Sequence, residues 1–251
     1  LGHGADVHAQ DDLALTWAAE QGHKEVVELL LDRGADIHAQ NDRALREAVS
    51  NGHPEVIDVL LSHINDNSLI RALFAASIRG HKKVVELLLD RGADVHICDN
   101  LILKLTAERG HTKIVKLLLS NGANIHAQDE LALRKAALRG HTKVVELILD
   151  HGANIHAEND SALRGAARGG HTEVVELLLD CGADIHARDD AALREAAWKG
   201  HKEVVELLLN HGADIHAQND EALRSVGYCG NKEIASKLLD CGADIHIYND
   251  E

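Results

Sequence analysis

The sequence predicts an all-α solenoid, a stack of helix–turn–helix units, and three observations carry that prediction. First, a Gly-His pair recurs at Gly22-His23, Gly52-His53, Gly80-His81, Gly110-His111, Gly140-His141, Gly170-His171 and Gly200-His201, then returns as Gly230-Asn231. The spacing is 30 residues throughout, apart from 28 between Gly52 and Gly80. A fixed period in this range marks a repeat architecture. Second, each unit carries apolar residues at helical spacing, and no run alternates as a half-buried strand would. Third, the 251 residues include only two Trp, two Tyr and one Phe, and no Met. A core built almost wholly from Leu, Ala, Val and Ile is thin and renewed layer by layer.

Cutting at the turn gives units 11–40, 41–68, 69–98, 99–128, 129–158, 159–188, 189–218 and 219–248, in one array over residues 1–251. Residues 1–10 read as the tail of an earlier unit, and the absence of Met at residue 1 is what a fragment of a longer chain would show. Eight units at roughly 10 Å each would make a curved rod on the order of 80 Å long.

Unit 189–218 shows the local signals. Asp190 precedes Ala191-Ala192-Leu193, where its carboxylate is expected to cap the free amides of a first helix. Ala192, Leu193, Ala196 and Ala197 form one stripe, facing a neighbouring unit. Gly200 ends that helix in the left-handed conformation. A second helix is expected from Lys202 to Asn210, burying Val204, Val205, Leu208 and Leu209, with Gly212 ending it and Ala213 to Asn219 turning into the next unit. One junction breaks the pattern. Between units 41–68 and 69–98, Ile64 replaces the helix-ending Gly, the turn motif is missing and two residues are lost. A weak seam is expected from Ser62 to Leu69.

These segments, Ala-Ala-x-x-Gly-His-x-Glu-Val-Val-Glu-Leu-Leu-Leu followed by Gly-Ala-Asp-Ile-His-Ala, resemble the ankyrin repeat, and they do so over essentially the whole chain. Two features depart from it. Ala-Leu-Arg, as in Ala192-Leu193-Arg194, replaces the usual Thr-Pro-Leu-His, and each unit is three residues shorter, at the β-hairpin finger. The Asn-Asp-x-Ala-Leu-Arg variety is similar to the ankyrin arrays of giant DNA viruses. The resemblance implies an ankyrin-type solenoid with shortened hairpin fingers and a protein-binding concave surface made by turns and first helices. It also places the turn histidines where an asparaginyl hydroxylase modifies such repeats.

Acidic residues outnumber basic ones 41 to 26, for a formal charge of −15, which argues against nucleic acid or an anionic membrane as partner. Apolar runs such as Leu29-Leu30-Leu31 are far too short to span a bilayer. Cys98, Cys181, Cys229 and Cys241 have neither CxxC pairing nor a disulfide spacing, usage that fits an intracellular setting, cytoplasm or nucleus. No phosphate-binding loop is present, and every reactive side chain is either repeated in each unit or isolated. No catalytic residue, cofactor or small-molecule substrate is therefore expected. The 19 histidines recur singly in each unit, and helices stack roughly 8–10 Å apart. Zinc ligands must each lie about 2 Å from the ion, so equivalent histidines are read as structural and no metal site is expected.

Arg46, Arg134, Arg164, Arg194 and Arg224, continued by Lys104, form a row that reads either as an anion-binding ladder or as i,i+4 ion pairs. The partners of such pairs would be Asp42, Glu130, Asp160, Asp190 and Asp220, with Asn100 before Lys104, and structural pairing is the favoured reading. In unit 69–98 both members change together, to Ile70 and Phe74.

Binding specificity is expected where the units differ. With Leu15 facing the core, positions 13, 16, 17 and 20 of the first helix point away, at about 100° per residue. The resulting surface carries Phe74, Ile78, Leu101, Leu105, Leu131 and Leu138, bordered by Arg79, Arg109, Lys135 and Arg139. Either these leucines form an exposed patch, or Leu101 and Leu131 tuck beneath the preceding turn. A second cluster pairs Trp198 with Tyr228, beside Arg168 and Lys199. Apolar surface with a basic rim marks a partner site, and Trp, Tyr and Arg are typical anchors. The expected partner-binding residues are Phe74, Ile78, Arg79, Leu105, Arg109, Lys135, Leu138, Arg139, Arg168, Trp198, Lys199 and Tyr228. The expected function is an interaction scaffold that binds an acidic protein with apolar anchors. The alternative is the substrate-recruiting array of a larger adaptor or effector.

Overall fold

The computed structural model describes residues 6–64 and 68–244, with the backbone alone at residues 97–100. Among the described residues there are sixteen α-helices and no strand. The first helices of the units are α1 (Ala9–Gln21), α3 (Ala39–Asn51), α5 (Ser68–Arg79), α7 (Ile97–Glu108), α9 (Leu131–Leu138), α11 (Ala157–Gly169), α13 (Ala187–Lys199) and α15 (Ala217–Cys229). The second helices are α2 (Lys24–Asp32), α4 (Pro54–Ser62), α6 (Lys82–Asp90), α8 (Thr112–Ser120), α10 (Thr142–Asp150), α12 (Thr172–Asp180), α14 (Lys202–Asn210) and α16 (Lys232–Asp240).

The chain divides into two compact units, Leu1–Ile102 with Lys113–Ala123, and Leu103–Thr112 with Asn124–Glu251. In the first, α1, α3 and α5 pack side by side in one layer and α2, α4 and α6 in another. In the second, α9, α11, α13 and α15 form one layer and α10, α12, α14 and α16 the other. The core is the stripe read from the sequence, repeated: Ala192, Leu193, Ala196 and Ala197 are buried, as are Val204, Val205 and Leu208. Burying each such Val or Leu contributes about 1.5–3 kcal/mol, and the small Ala rows let the first helices pack closely. Leu209 is only half-buried, a small departure from expectation. The expected seam over Ser62 to Leu69 falls partly outside the described residues, as do the ends of the first and last units.

The turn differs from the simple cap expected. Gln128, Asp129 and Glu130 all have φ between 52° and 56°, and the same holds for Glu158–Asp160, Arg188–Asp190 and Gln218–Asp220. Three successive left-handed residues, none of them Gly, replace the hairpin finger. Such a conformation costs about 1–2 kcal/mol per residue, so side chains must hold it. Asp190 is therefore not an N-cap. Its carboxylate, only 3% exposed, accepts the Nδ1–H of His186 at 3.2 Å and the amide N–H of Asp214 in the following repeat at 2.7 Å. Asp160 repeats this with His156 and the Asp184 amide, and Glu130 with His126 and the Asn154 amide. The left-handed backbone turns the carboxylate away from its own helix and into the seam.

That geometry also overturns the ion-pair ladder. With the acid committed to the seam, the arginine four residues on donates to the turn carbonyls. Arg134 reaches Gln128 O at 3.0 Å, Arg164 reaches Glu158 O at 3.1 Å, and Arg224 reaches Gln218 O at 2.9 Å. Arg194 bonds both Arg188 O and Asp189 O, and Arg46 bonds Asn41 O. The Asn100–Lys104 pairing lies outside the described side chains. At the irregular junction Asp42 still accepts from His38 at 2.8 Å, but Arg71 also holds it, at 2.7 Å.

The Gly-His pairs lock neighbouring repeats together. The His171 ring donates from Nε2 to Leu138 O at 3.0 Å, and His141 and His201 do the same to Glu108 O and Arg168 O. His53 and His81 repeat the bond to Glu20 O and Ser50 O. In these repeats the histidines of both sets thus have structural partners. Among the described residues no group of three His, Cys, Asp or Glu side chains is arranged to hold a metal ion.

Candidate functional site

With turns and seams absorbed by these bonds, the outward rows of the first helices are what differ from repeat to repeat. Two grooves open along them, one in each compact unit.

In the second unit the groove lies across α13 and α15 and has a volume of about 280 Å³. Ala191, Glu195 and Trp198 come from α13, and Glu221, Ser225 and Tyr228 from α15. Trp198 is 43% exposed and Tyr228 is 89% exposed. Two cations bracket the indole: Lys199 Nζ sits 3.8 Å from the ring centroid and the Arg168 guanidinium 5.6 Å. An ammonium or guanidinium over an indole face is attracted by the ring quadrupole, which fixes the Trp198 ring in place. Arg194 crosses the groove to pair with Glu221, and Arg168 Nε approaches Glu195 at 3.9 Å. Four of the expected binding residues, Arg168, Trp198, Lys199 and Tyr228, therefore lie together.

Leu105, Lys135 and Leu138, also in the second unit, are half-buried, while Arg109 and Arg139 are exposed. Arg139 donates to Glu108 at 3.0 Å. That hydrogen bond, ahead of the fields of Lys135, Arg139 and Lys104, holds the Glu108 carboxyl below its ordinary value of 4.5, against a smaller opposing effect of burial. In the first unit Phe74, Ile78 and Leu101 are half-buried and Arg79 is exposed. Among the described residues the large apolar side chains that are truly exposed are others: Trp17, Val26, Leu29 and Leu239, besides Trp198 and Tyr228.

The larger groove, about 620 Å³, lies in the first unit between α3 and α5. Leu45, Val49, Ala72 and Ala75 line it, with Arg46, Arg71 and Arg79 set against Glu20, Asp42 and Glu47. Of the expected binding residues only Arg79 reaches it. The signal for this groove was in the sequence as the two-residue loss before Ser68, but that loss was read as a weakness of packing. Trp17, 59% exposed, stands on the same outward row as Glu47 and is not among the expected binding residues.

A family model described as ankyrin repeats in three copies matches residues 15–99, 101–189 and 163–249. The chain belongs to the ankyrin-repeat family. Ankyrin repeats generally serve as protein–protein interaction modules, and the family is typically non-catalytic. No curated protein matches the chain. Among the described residues no helix is long and apolar enough to cross a membrane, and Cys181, Cys229 and Cys241 are free thiols.

Proposed function

We propose that this ankyrin array binds a partner protein through the outward rows of its first helices, with Trp198 and Tyr228 as principal anchors, and that it performs no chemistry of its own. The observation that carries this reading is the α13–α15 groove. A Trp held between two cations, beside an almost fully exposed Tyr, presents apolar area that nothing in its own unit covers. Interface energy concentrates at such aromatic anchors, and Arg168 and Lys199 favour an acidic partner surface around them. Leu105, Leu138, Arg109, Lys135 and Arg139 extend the surface within the second unit, and Phe74, Ile78 and Arg79 contribute from the first. Glu146, Glu176 and Glu206 on the second helices repeat too uniformly to carry an address.

The test is a pull-down followed by affinity measurement on the proteins retained. Trp198→Ala should weaken binding by about 2 kcal/mol or more, roughly thirty-fold, and Leu138→Ala should weaken it less. Neither Glu206→Ala nor the melting temperature of Trp198→Ala should change appreciably, because an exposed side chain leaves no cavity behind. Equal losses for Trp198→Ala and Glu206→Ala would refute the assignment of faces.

A further inference from the structure

The arginine row is not neutralised by the acids beside it in sequence, and within the second unit its members differ in what they meet next. Arg194 is paired with Glu221 of the following first helix. The residues equivalent to Glu221 beside Arg134 and Arg164 are Ser161 and Ala191. Among the described residues neither guanidinium has a carboxylate at ion-pair distance, and each has a buried Nε with no hydrogen-bond partner. Burial and the neighbouring charge of Arg188 hold the Arg164 guanidinium below its ordinary value. Glu195 and Glu158 oppose that effect, and Arg134 adds to it. Two cations thus stand in adjacent repeats with no carboxylate at ion-pair distance, Glu195 and Glu158 acting on Arg164 only from further off.

Gly165 follows Arg164 on α11 and stands beside the backbone of Arg134. The equivalent positions in the other repeats of this unit carry Leu105, Lys135, Glu195 and Ser225. The backbone does not require glycine here: a Cβ would stand 3.5 Å from the nearest atom, Leu138 Cβ, which is ordinary contact. A glycine inside a helix costs stability, and this half-buried one leaves the stretch of α11 after Arg164 without a side chain, where a Cβ would also stand 3.7 Å from Arg134 O. Arg168, one turn further along α11, leads from this stretch to the Trp198 ring.

We propose that Arg134 and Arg164, in adjacent repeats beside Gly165, recognise a carboxylate side chain on an extended acidic segment of the partner protein. The inference rests on the protein-binding reading above and supplies the partner's chemistry. A guanidinium presents a planar fork of donors suited to a carboxylate. Successive repeats lie roughly 10 Å apart and an extended chain advances about 3.3 Å per residue. Trp198 lies about one and a half repeats from the midpoint of the two arginines, so the recognised segment carries its acidic residue about four or five positions from the apolar side chain that meets Trp198.

The experiment measures fluorescence anisotropy of labelled octa-glutamate with the whole array at neutral pH and about 20 mM salt, where charge is weakly screened. The double variant Arg134→Gln/Arg164→Gln should bind at least about tenfold more weakly. Because both arginines also hold turn carbonyls, Gly165→Glu is the decisive partner variant. It keeps those bonds, places a carboxylate where Glu195 already stands in the next repeat, and should cause a similar loss. Arg33→Gln, an exposed arginine of the first unit, should bind as the parent does. Unchanged binding by Gly165→Glu, or an equal loss in Arg33→Gln, overturns the proposal. So does tighter binding of a labelled single-stranded RNA that is lost in the same variants. If these variants leave octa-glutamate binding intact while Trp198→Ala still releases the partner, this inference fails and the protein-binding reading stands. If Trp198→Ala retains the partner while Gly165→Glu loses octa-glutamate, the reverse holds.

Discussion

Replacing Gly140 by Ala should destabilise the second unit by about 2–3 kcal/mol, whereas the same change at Gly200 should cost about 1 kcal/mol. Both glycines end a first helix in the left-handed region, with φ of 76° and 79°, so an alanine at either meets the same backbone strain of about 1 kcal/mol. They differ in the space beyond. A Cβ on Gly140 would stand 2.4 Å from His171 Nδ1, while a Cβ on Gly200 finds Asn231 Nδ2 at a comfortable 3.6 Å. To admit the methyl group the His171 ring must swing away, losing its bond to Leu138 O and leaving that carbonyl short of a partner. The loss is worth about 1–2 kcal/mol. Repeats need not unfold in one step, so the assay pairs urea unfolding with hydrogen exchange at the amides of α10 and α12. The double variant Gly140→Ala/His171→Ala should cost less than the sum of the two single changes, because the ring's contribution is lost only once. Equal losses at Gly140 and Gly200 would refute the argument that this glycine exists to admit the next repeat's histidine.

Asp190→Ala should cost about 2–3 kcal/mol, since it strands the Asp214 amide and removes the support of three left-handed residues; Asp190→Asn, which keeps an acceptor oxygen, should cost less, and thermal melts distinguish them. Arg139→Gln should remove the pairing that depresses the Glu108 carboxyl. A depressed carboxyl stabilises the fold above the unfolded-state value near 4.5, and that stabilisation is lost as pH falls through the lower folded value. The variant should therefore be less stable than the parent at pH 7 and indistinguishable from it in strong acid, with the Glu108 titration moved upward by NMR. Hydrogen exchange should open the first turn of α5 before the corresponding turn of α11. There the exposed Arg71 reaches across the junction to Asp42, and two residues are missing from the period; equal protection would show that the irregular junction is no weaker.

The repeat, the helix pairing and the apolar layers were legible because they depend on local spacing. Leu193 and Val204 are buried for the same reason in every repeat: periodicity alone puts them on the face that meets the next unit. The same spacing misled at Asp190 and Arg194. Four residues apart, they satisfy the rule for a helical ion pair, but that rule assumes both stand on the helix. Asp190 stands in a left-handed turn before it, where its side chain points elsewhere. The groove across α13 and α15 is lined by residues of the outward rows, although Thr16 and Ala191, on rows expected to point away from the core, are buried. How deeply each leucine sinks was not legible, because half-burial of Leu105 and Leu138 depends on the tilt of neighbouring helices.

The sequence by itself determined that the chain is a helical repeat array of ankyrin type and which side chains form its repeated core. A 30-residue period imposes the same local solution again and again. Only the tertiary structure decided what the recurring polar residues do. His171 meets Leu138 O, Asp190 meets the Asp214 amide and Arg194 meets Glu221 across a seam between repeats. Such partners lie 24 to 33 residues apart. No local spacing rule reaches that far, because the distance between them is set by how one repeat settles on the next.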